Sequence, residues 1–176
     1  MNDRPDPAAA APGPGGTVHT RPDGRRELAF RREFPDPVDE VWAAVTDPAR
    51  CARWFASWTG DARPGGTIAL TMTSAEDGGG PPETARITAC EPPHRLAVTI
   101  EVPDAGPPWE LAVDLTSTAD GGTVLEFRQP LPDGASAADT GSGWHWYLDR
   151  LAATLAGAPM PEWEPHLAAT TALYPN

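Results

Sequence analysis

The chain has 176 residues, 40% of them hydrophobic, enough for one globular domain with a core and short of the length at which two are expected. Its formal net charge is −12, and all thirteen basic residues are arginine. Sequence-independent phosphate binding depends on basic side chains, so neither nucleic acid nor an anionic membrane surface is an expected partner. No segment approaches the length of a membrane-spanning helix and no apolar stretch follows the N-terminal charges, which makes the cytoplasm the expected location.

Residues 1–24 are dominated by Pro, Ala, Gly and Asp, with Val18 the only branched aliphatic residue. They carry too little apolar surface to offset ordering entropy, and a disordered tail is expected there. Order is expected from residue 25, where Leu28, Phe30 and Phe34 share a period-two face of a first strand. Arg32 is the odd member of that stripe, a residue either aimed inward at an anion or snorkelling at a sheet edge.

A helix start follows, with Asp36 as N-cap, Pro37 at the first helical position, and Asp39 and Glu40 in the first turn. Val38, Val41, Trp42 and Val45 then fall on one face. Asp47-Pro48 repeats the signal, and a second short helix is expected from Ala49 to Phe55. Five alternating patterns come next, around Ile68–Met72, Ala85–Ala89, Leu96–Val102, Trp109–Leu115 and Leu125–Phe127, each bounded by turn residues. Period-two alternation is what an antiparallel sheet with one solvated face requires, so with the first strand a six-stranded sheet is expected. The Gly78-Gly79-Gly80 run reads as a hairpin loop.

After a polar loop over 130–140, Thr140 or Ser142 is positioned to cap a long helix running from Gly143 to Leu155. At 100° per residue, Trp144, Tyr147, Leu148, Leu151 and Leu155 form one stripe, with Trp146, Arg150 and Ala153 roughly opposite. Trp146 would then stand in water unless residues 158–176 fold back and cover it with Trp163, Leu167, Leu173 or Tyr174.

Strand, two short helices, five strands and a long C-terminal helix is the order of the α+β helix-grip fold, a curved six-stranded antiparallel sheet wrapped on that last helix. Pro37-Val38-Asp39-Glu40-Val41-Trp42 with Thr46-Asp47-Pro48, Arg53-Trp54-Phe55, Glu91-Pro92-Pro93-His94-Arg95-Leu96, and Gly143-Trp144-His145 with Leu148-Asp149 and Leu151 carry a further likeness. In this order they resemble the bacterial branch of the family named after the activator of the Hsp90 ATPase, within the START and Bet v 1-like superfamily. The likeness spans 25–157. It implies a cavity between sheet and C-terminal helix that takes a small hydrophobic or amphipathic molecule; some superfamily members cyclise polyketides and the eukaryotic namesakes are co-chaperones.

For ligand binding, the candidate lining is Trp54, Phe55, Met72, Trp109, Leu111, Val113, Trp144, Tyr147 and Leu148, since such pockets are mostly apolar. If the protein is instead a cyclase or dehydratase, the candidates are His145 and Asp149, which sit at i and i+4, with Arg32. The third alternative is a protein-interaction module of co-chaperone type, marked by an exposed apolar patch. No nucleophile elbow, P-loop, zincin motif or dinucleotide fingerprint is present. The four histidines are scattered in sequence and Cys51 and Cys90 are far apart, so no metal and no cofactor are expected. The expected partner is a small hydrophobic molecule, with a protein partner and a homodimer left open.

Overall fold

A computed structural model describes residues 11–73, 80–101 and 106–174. Its centre is one antiparallel sheet of eight strands: β1 (Thr17–Thr20), β2 (Arg26–Phe34), β3 (Ala56–Gly60), β4 (Thr67–Met72), β5 (Glu83–Glu91), β6 (Arg95–Ile100), β7 (Trp109–Ser117) and β8 (Thr123–Leu131). The spatial order β1-β2-β8-β7-β6-β5-β4-β3 is a meander from β3 to β8, with β2 paired back onto β8 and β1 outside β2. Together with a long helix near the C-terminus, this sheet fits the helix-grip fold.

The six expected strands are β2 and β4 to β8; β1 and β3 are additions. All four residues of β1 are exposed, so it has no apolar period to read, and it is held by its pairing with β2 over Thr17↔Ala29 to Thr20↔Arg26. Regular structure therefore begins at Thr17, before residue 25. The strand β3 follows Trp54-Phe55, whose aromatic run reads as a helix end; it pairs with β4 at the other edge. The Gly78-Gly79 part of the expected hairpin loop, and Val102, lie outside the described residues.

Helix α1 covers Val38–Thr46 and buries Val41, Ala44 and Val45. Its N-cap is Pro37 and not Asp36, whose backbone carbonyl instead accepts from Thr123 Oγ1 at 2.7 Å. Helix α2 is a single turn, Pro48–Cys51, capped as expected by Asp47, whose Oδ1 accepts from the Arg50 amide at 3.0 Å. The expected extension to Phe55 does not form. The chain leaves the helix so that Trp54 donates Nε1–H to the Ala44 carbonyl at 2.9 Å, joining the two helices.

The long helix, α3, runs over Ala137–Ala156 and so begins before the expected start at Gly143. Ser136 caps it by accepting from the Asp139 amide at 3.1 Å, and Gly157 ends it in the left-handed region at φ 63°. Thr140 and Ser142 thus lie inside the helix, not at its cap. Trp144, Leu148 and Leu151 are buried on the sheet side, and Tyr147 and Leu155 are half-buried. A fourth helix, α4 (Trp163–Thr170), and a 3₁₀ turn over Thr171–Leu173 return across the other side. Trp146 is covered as expected: its ring meets Trp163 at 5.4 Å, its Nε1–H donates to the Pro161 carbonyl at 2.9 Å, and the Arg150 guanidinium stacks on it at 4.6 Å. Among the described residues no helix is long and apolar enough to cross a membrane.

Tyr174 reaches α3 at Gly141, where an added Cβ would stand 2.6 Å from the tyrosine ring. Alanine favours a helix interior over glycine by about 1 kcal/mol, yet the ring would have to move. Gly141→Ala is therefore expected to lower stability by about 1–3 kcal/mol, read from its urea midpoint.

Candidate functional site

Two features lie on opposite sides of α3. On the sheet side is a cavity of about 300 Å³, enclosed by the inner face of β3 to β8 and by α1, α2 and α3. Trp54, Phe55, Leu70, Ile87, Leu125, Phe127, Trp144 and Leu148, all buried, form its deep part. Trp42, Thr46, Trp58, Ala62, Cys90 and Leu96 are half-buried and Pro92 is exposed, which places the opening between α1, β3 and the β5–β6 turn. No charged side chain lines it.

The residues that hold the cavity open are held by one another. Trp144 packs on Phe127 at 4.3 Å and on Phe55 at 5.2 Å, and its indole Nε1–H donates to Gln129 Oε1 at 2.6 Å. Burial pushes the Cys51 thiol up to about 11, so this wall residue is a neutral thiol at physiological pH, packing as a small hydrophobe.

Of the candidate lining residues, Trp54, Phe55, Leu111, Val113, Trp144 and Leu148 are on the cavity wall. Met72, Trp109 and Tyr147 are not; they are half-buried and pack against the core from outside it, Tyr147 edge-on to Phe55 at 5.1 Å. Trp42, Trp58, Cys90 and Leu96 line the cavity without having been singled out for it. Trp58 sits on β3, which has no apolar period to read, and Trp42 shares the buried face of α1 with Val41 and Val45, a pattern that does not tell cavity wall from core.

Across α3 lies a polar cluster. His145 is fully buried. Asp149 Oδ1 meets Arg32 at 3.3 Å; Asp149 Oδ2 accepts from His166 Nε2 at 2.9 Å and from the Gly13 amide at 3.0 Å, with His145 Nε2 at 3.4 Å. Arg32 is only 4% exposed and also donates to the Pro14 carbonyl. It is thus neither on an edge, since β1 covers β2, nor aimed into the cavity. His145, Asp149 and Arg32 converge on one another, and His166 joins them, so two of the four histidines are not scattered. The sequence offered no signal for His166 or for Gly13.

Burial alone would raise the Asp149 pKa, but the His166 hydrogen bond, the Arg32 charge and the Gly13 amide outweigh it and hold it below the ordinary value of 3.8. His145 is lowered, first by burial and then by Arg32 against the opposing pull of Asp149. One nitrogen each of His145 and His166 and one Asp149 oxygen lie within 4.8 Å of each other, a spacing that a metal ion could use. The cluster, however, already sets one carboxylate against one guanidinium, Asp149 Oδ1 lying 3.3 Å from Arg32. A divalent cation would add uncompensated positive charge beside Arg32 and compete with the Gly13 carbonyl, which sits 2.9 Å from His145 Nε2.

The model of the Activator of Hsp90 ATPase homolog 1-like protein family matches residues 36–156. The chain belongs to this family. Among solved structures, CalU16 from Micromonospora echinospora is 32% identical, with 94% of this chain and 96% of that one covered and a TM-score of 0.72. The protein encoded by BPP1335 of Bordetella parapertussis is 26% identical over 93% of this chain and 92% of its own, also at a TM-score of 0.72. DynU16, from the dynemicin biosynthetic locus, is 29% identical over 77% of this chain and 49% of its own, at 0.65. No curated protein matches the chain. The family match begins at Asp36, just before α1, and ends with α3, so it covers the cavity but leaves β1, β2 and α4 outside.

Proposed function

We propose that this member of the Activator of Hsp90 ATPase homolog 1-like family binds a small apolar or amphipathic molecule in the cavity between its sheet and α3. The observation that carries the reading is a partly open space of about 300 Å³ with no charged lining residue. That volume is at the small end of ligand pockets, and a wall of this kind favours a neutral, largely apolar occupant. The likeness to DynU16, a protein of a biosynthetic locus, supports a ligand-binding or cyclase-like role beside small-molecule biosynthesis. A cyclase that acts in this cavity through His145, Asp149 and Arg32 lacks geometric support, because none of the three lines it; Arg32 and Asp149 border a separate pocket across α3. The co-chaperone alternative needs an exposed apolar patch, and among the described residues the large exposed hydrophobics are only Val18 and Leu173.

Native mass spectrometry of freshly purified protein is expected to show a co-purifying small molecule. N-Phenyl-1-naphthylamine, a neutral apolar dye, serves as a probe of the emptied site. Val113→Trp, which fills a half-buried wall position, is expected to weaken probe binding by about tenfold or more while leaving the fold intact. Equal probe affinity in the filled variant would mean that the dye, and the proposed ligand, does not use this cavity.

A further inference from the structure

The side of α3 away from the cavity is closed by both ends of the described chain. Residues 13–16 lie across it and are held mainly through their backbone: the Gly13 amide by Asp149, the Gly13 carbonyl by His145 Nε2, the Pro14 carbonyl by Arg32, and the Gly16 amide by the Tyr174 hydroxyl at 2.9 Å. The approach is close enough to need glycine. A Cβ on Gly13 would stand 2.8 Å from Asp149 Oδ1 and 3.3 Å from Arg32 Nε, and one on Gly16 would stand 2.7 Å from the Phe30 ring. With Gly141 under Tyr174, three glycines shape this closure.

His145 is where the two ends meet. Its Nδ1 is 2.7 Å from Tyr174 Oη and its Nε2 is 2.9 Å from the Gly13 carbonyl. A carbonyl can only accept, so Nε2 carries the proton and donates; Nδ1 then accepts from the tyrosine hydroxyl, which itself accepts from Gly16. Every member of this chain is satisfied with a neutral imidazole and none can be reversed. A second proton has only Nδ1 to go to. There it turns the acceptor of the tyrosine bond into a donor and leaves the hydroxyl proton without a partner in a buried site.

We propose that His145 is the pin of a pH-sensitive latch: protonation at Nδ1 releases residues 11–16 and Tyr174 from the outer side of α3. The groups that face the imidazole are Arg32 from β2, Asp149 on α3, His166 from α4 and Tyr174 after the 3₁₀ turn. Among these side chains Asp149 attracts a proton to His145, as the Gly13 carbonyl does at Nε2, and the Asp149 oxygens are already shared by Arg32, His166 and Gly13. The sign follows from the direction of the shift. The closed state holds His145 below the ordinary value of 6.5, so the released state takes up a proton first, and the latch is intact above that value and lost as pH falls through it. Asp149 stays ionised throughout, being held below 3.8.

Amide exchange of the full chain, followed by NMR and corrected for intrinsic rates, tests this between about pH 7.5 and about pH 5. The Gly13 and Gly16 amides are expected to lose about tenfold or more of their protection over that interval while β7 and β8 amides keep theirs. His145→Gln is expected to make the Gly13 and Gly16 protection flat with pH, and His166→Gln to retain the drop. Constant protection in the parent chain overturns the latch, and so does an undiminished drop in His145→Gln. Should that variant lose β7 and β8 protection as well, Tyr174→Phe decides: a much smaller drop supports the pin, and a full drop overturns it. The test does not involve the cavity, so it stands or falls apart from ligand binding.

Discussion

Asp149→Leu is expected to lower the stability of the protein by about 3–5 kcal/mol in urea denaturation at neutral pH, because it strands a buried charge. Arg32 is 4% exposed and its guanidinium has Asp149 as its carboxylate partner. Removing that partner also leaves the Gly13 amide and His166 Nε2 without an acceptor. The cost is that of an uncompensated cation more than of a lost attraction, which makes a second variant informative. Arg32→Met combined with Asp149→Leu removes both charges, and an apolar pair of similar volume is often neutral relative to a buried ion pair. The double variant is expected to be more stable than Asp149→Leu alone, though below the parent chain, since the bonds to Gly13, Pro14 and His166 are still missing. A double variant as unstable as the single one would mean that the hydrogen bonds, not the charge, carry the cluster. The acid limb follows the same carboxylate: its folded-state pKa lies below 3.8, so its contribution is present above that value and fades as pH falls below it.

This cluster also shows where sequence reading ends. The His145 and Asp149 pair is visible as an i, i+4 spacing, and Arg32 as the wrong residue in an apolar stripe. What joins them is the crossing of residues 13–16 and the return of α4, contacts more than a hundred residues apart in the case of Gly13 and Asp149. No local period encodes such a contact, and a Pro- and Gly-rich segment has the composition of a disordered tail until its backbone finds partners. The same cause hid β1, whose residues are all exposed and whose order comes from its ladder with β2. Where apolar side chains face a core at regular spacing, as in β2, β4 to β8, α1 and the stripe of α3, the elements are legible. Membership of a cavity wall is less so, because Trp144 and Tyr147 share a stripe yet only the first reaches the cavity.

Trp144 accordingly has two duties that substitution can separate. It is 6% exposed, packs on Phe127 and Phe55, and donates to Gln129, which is itself 2% exposed. Trp144→Ala removes the ring from the wall between α3 and the sheet and is expected to cost about 3–5 kcal/mol, read from the urea midpoint. Trp144→Phe keeps an aromatic ring against Phe127 but leaves Gln129 Oε1 buried without its donor, for an expected loss of about 1–3 kcal/mol. Adding Gln129→Leu to the phenylalanine variant removes the orphaned acceptor, so part of that loss is expected to return. If the double variant regains nothing, the indole hydrogen bond is incidental and packing alone sets the position of α3 over the cavity. A recovery would instead show that one buried hydrogen bond fixes how deeply the helix seats on β8, and with it how much space remains beneath for a ligand.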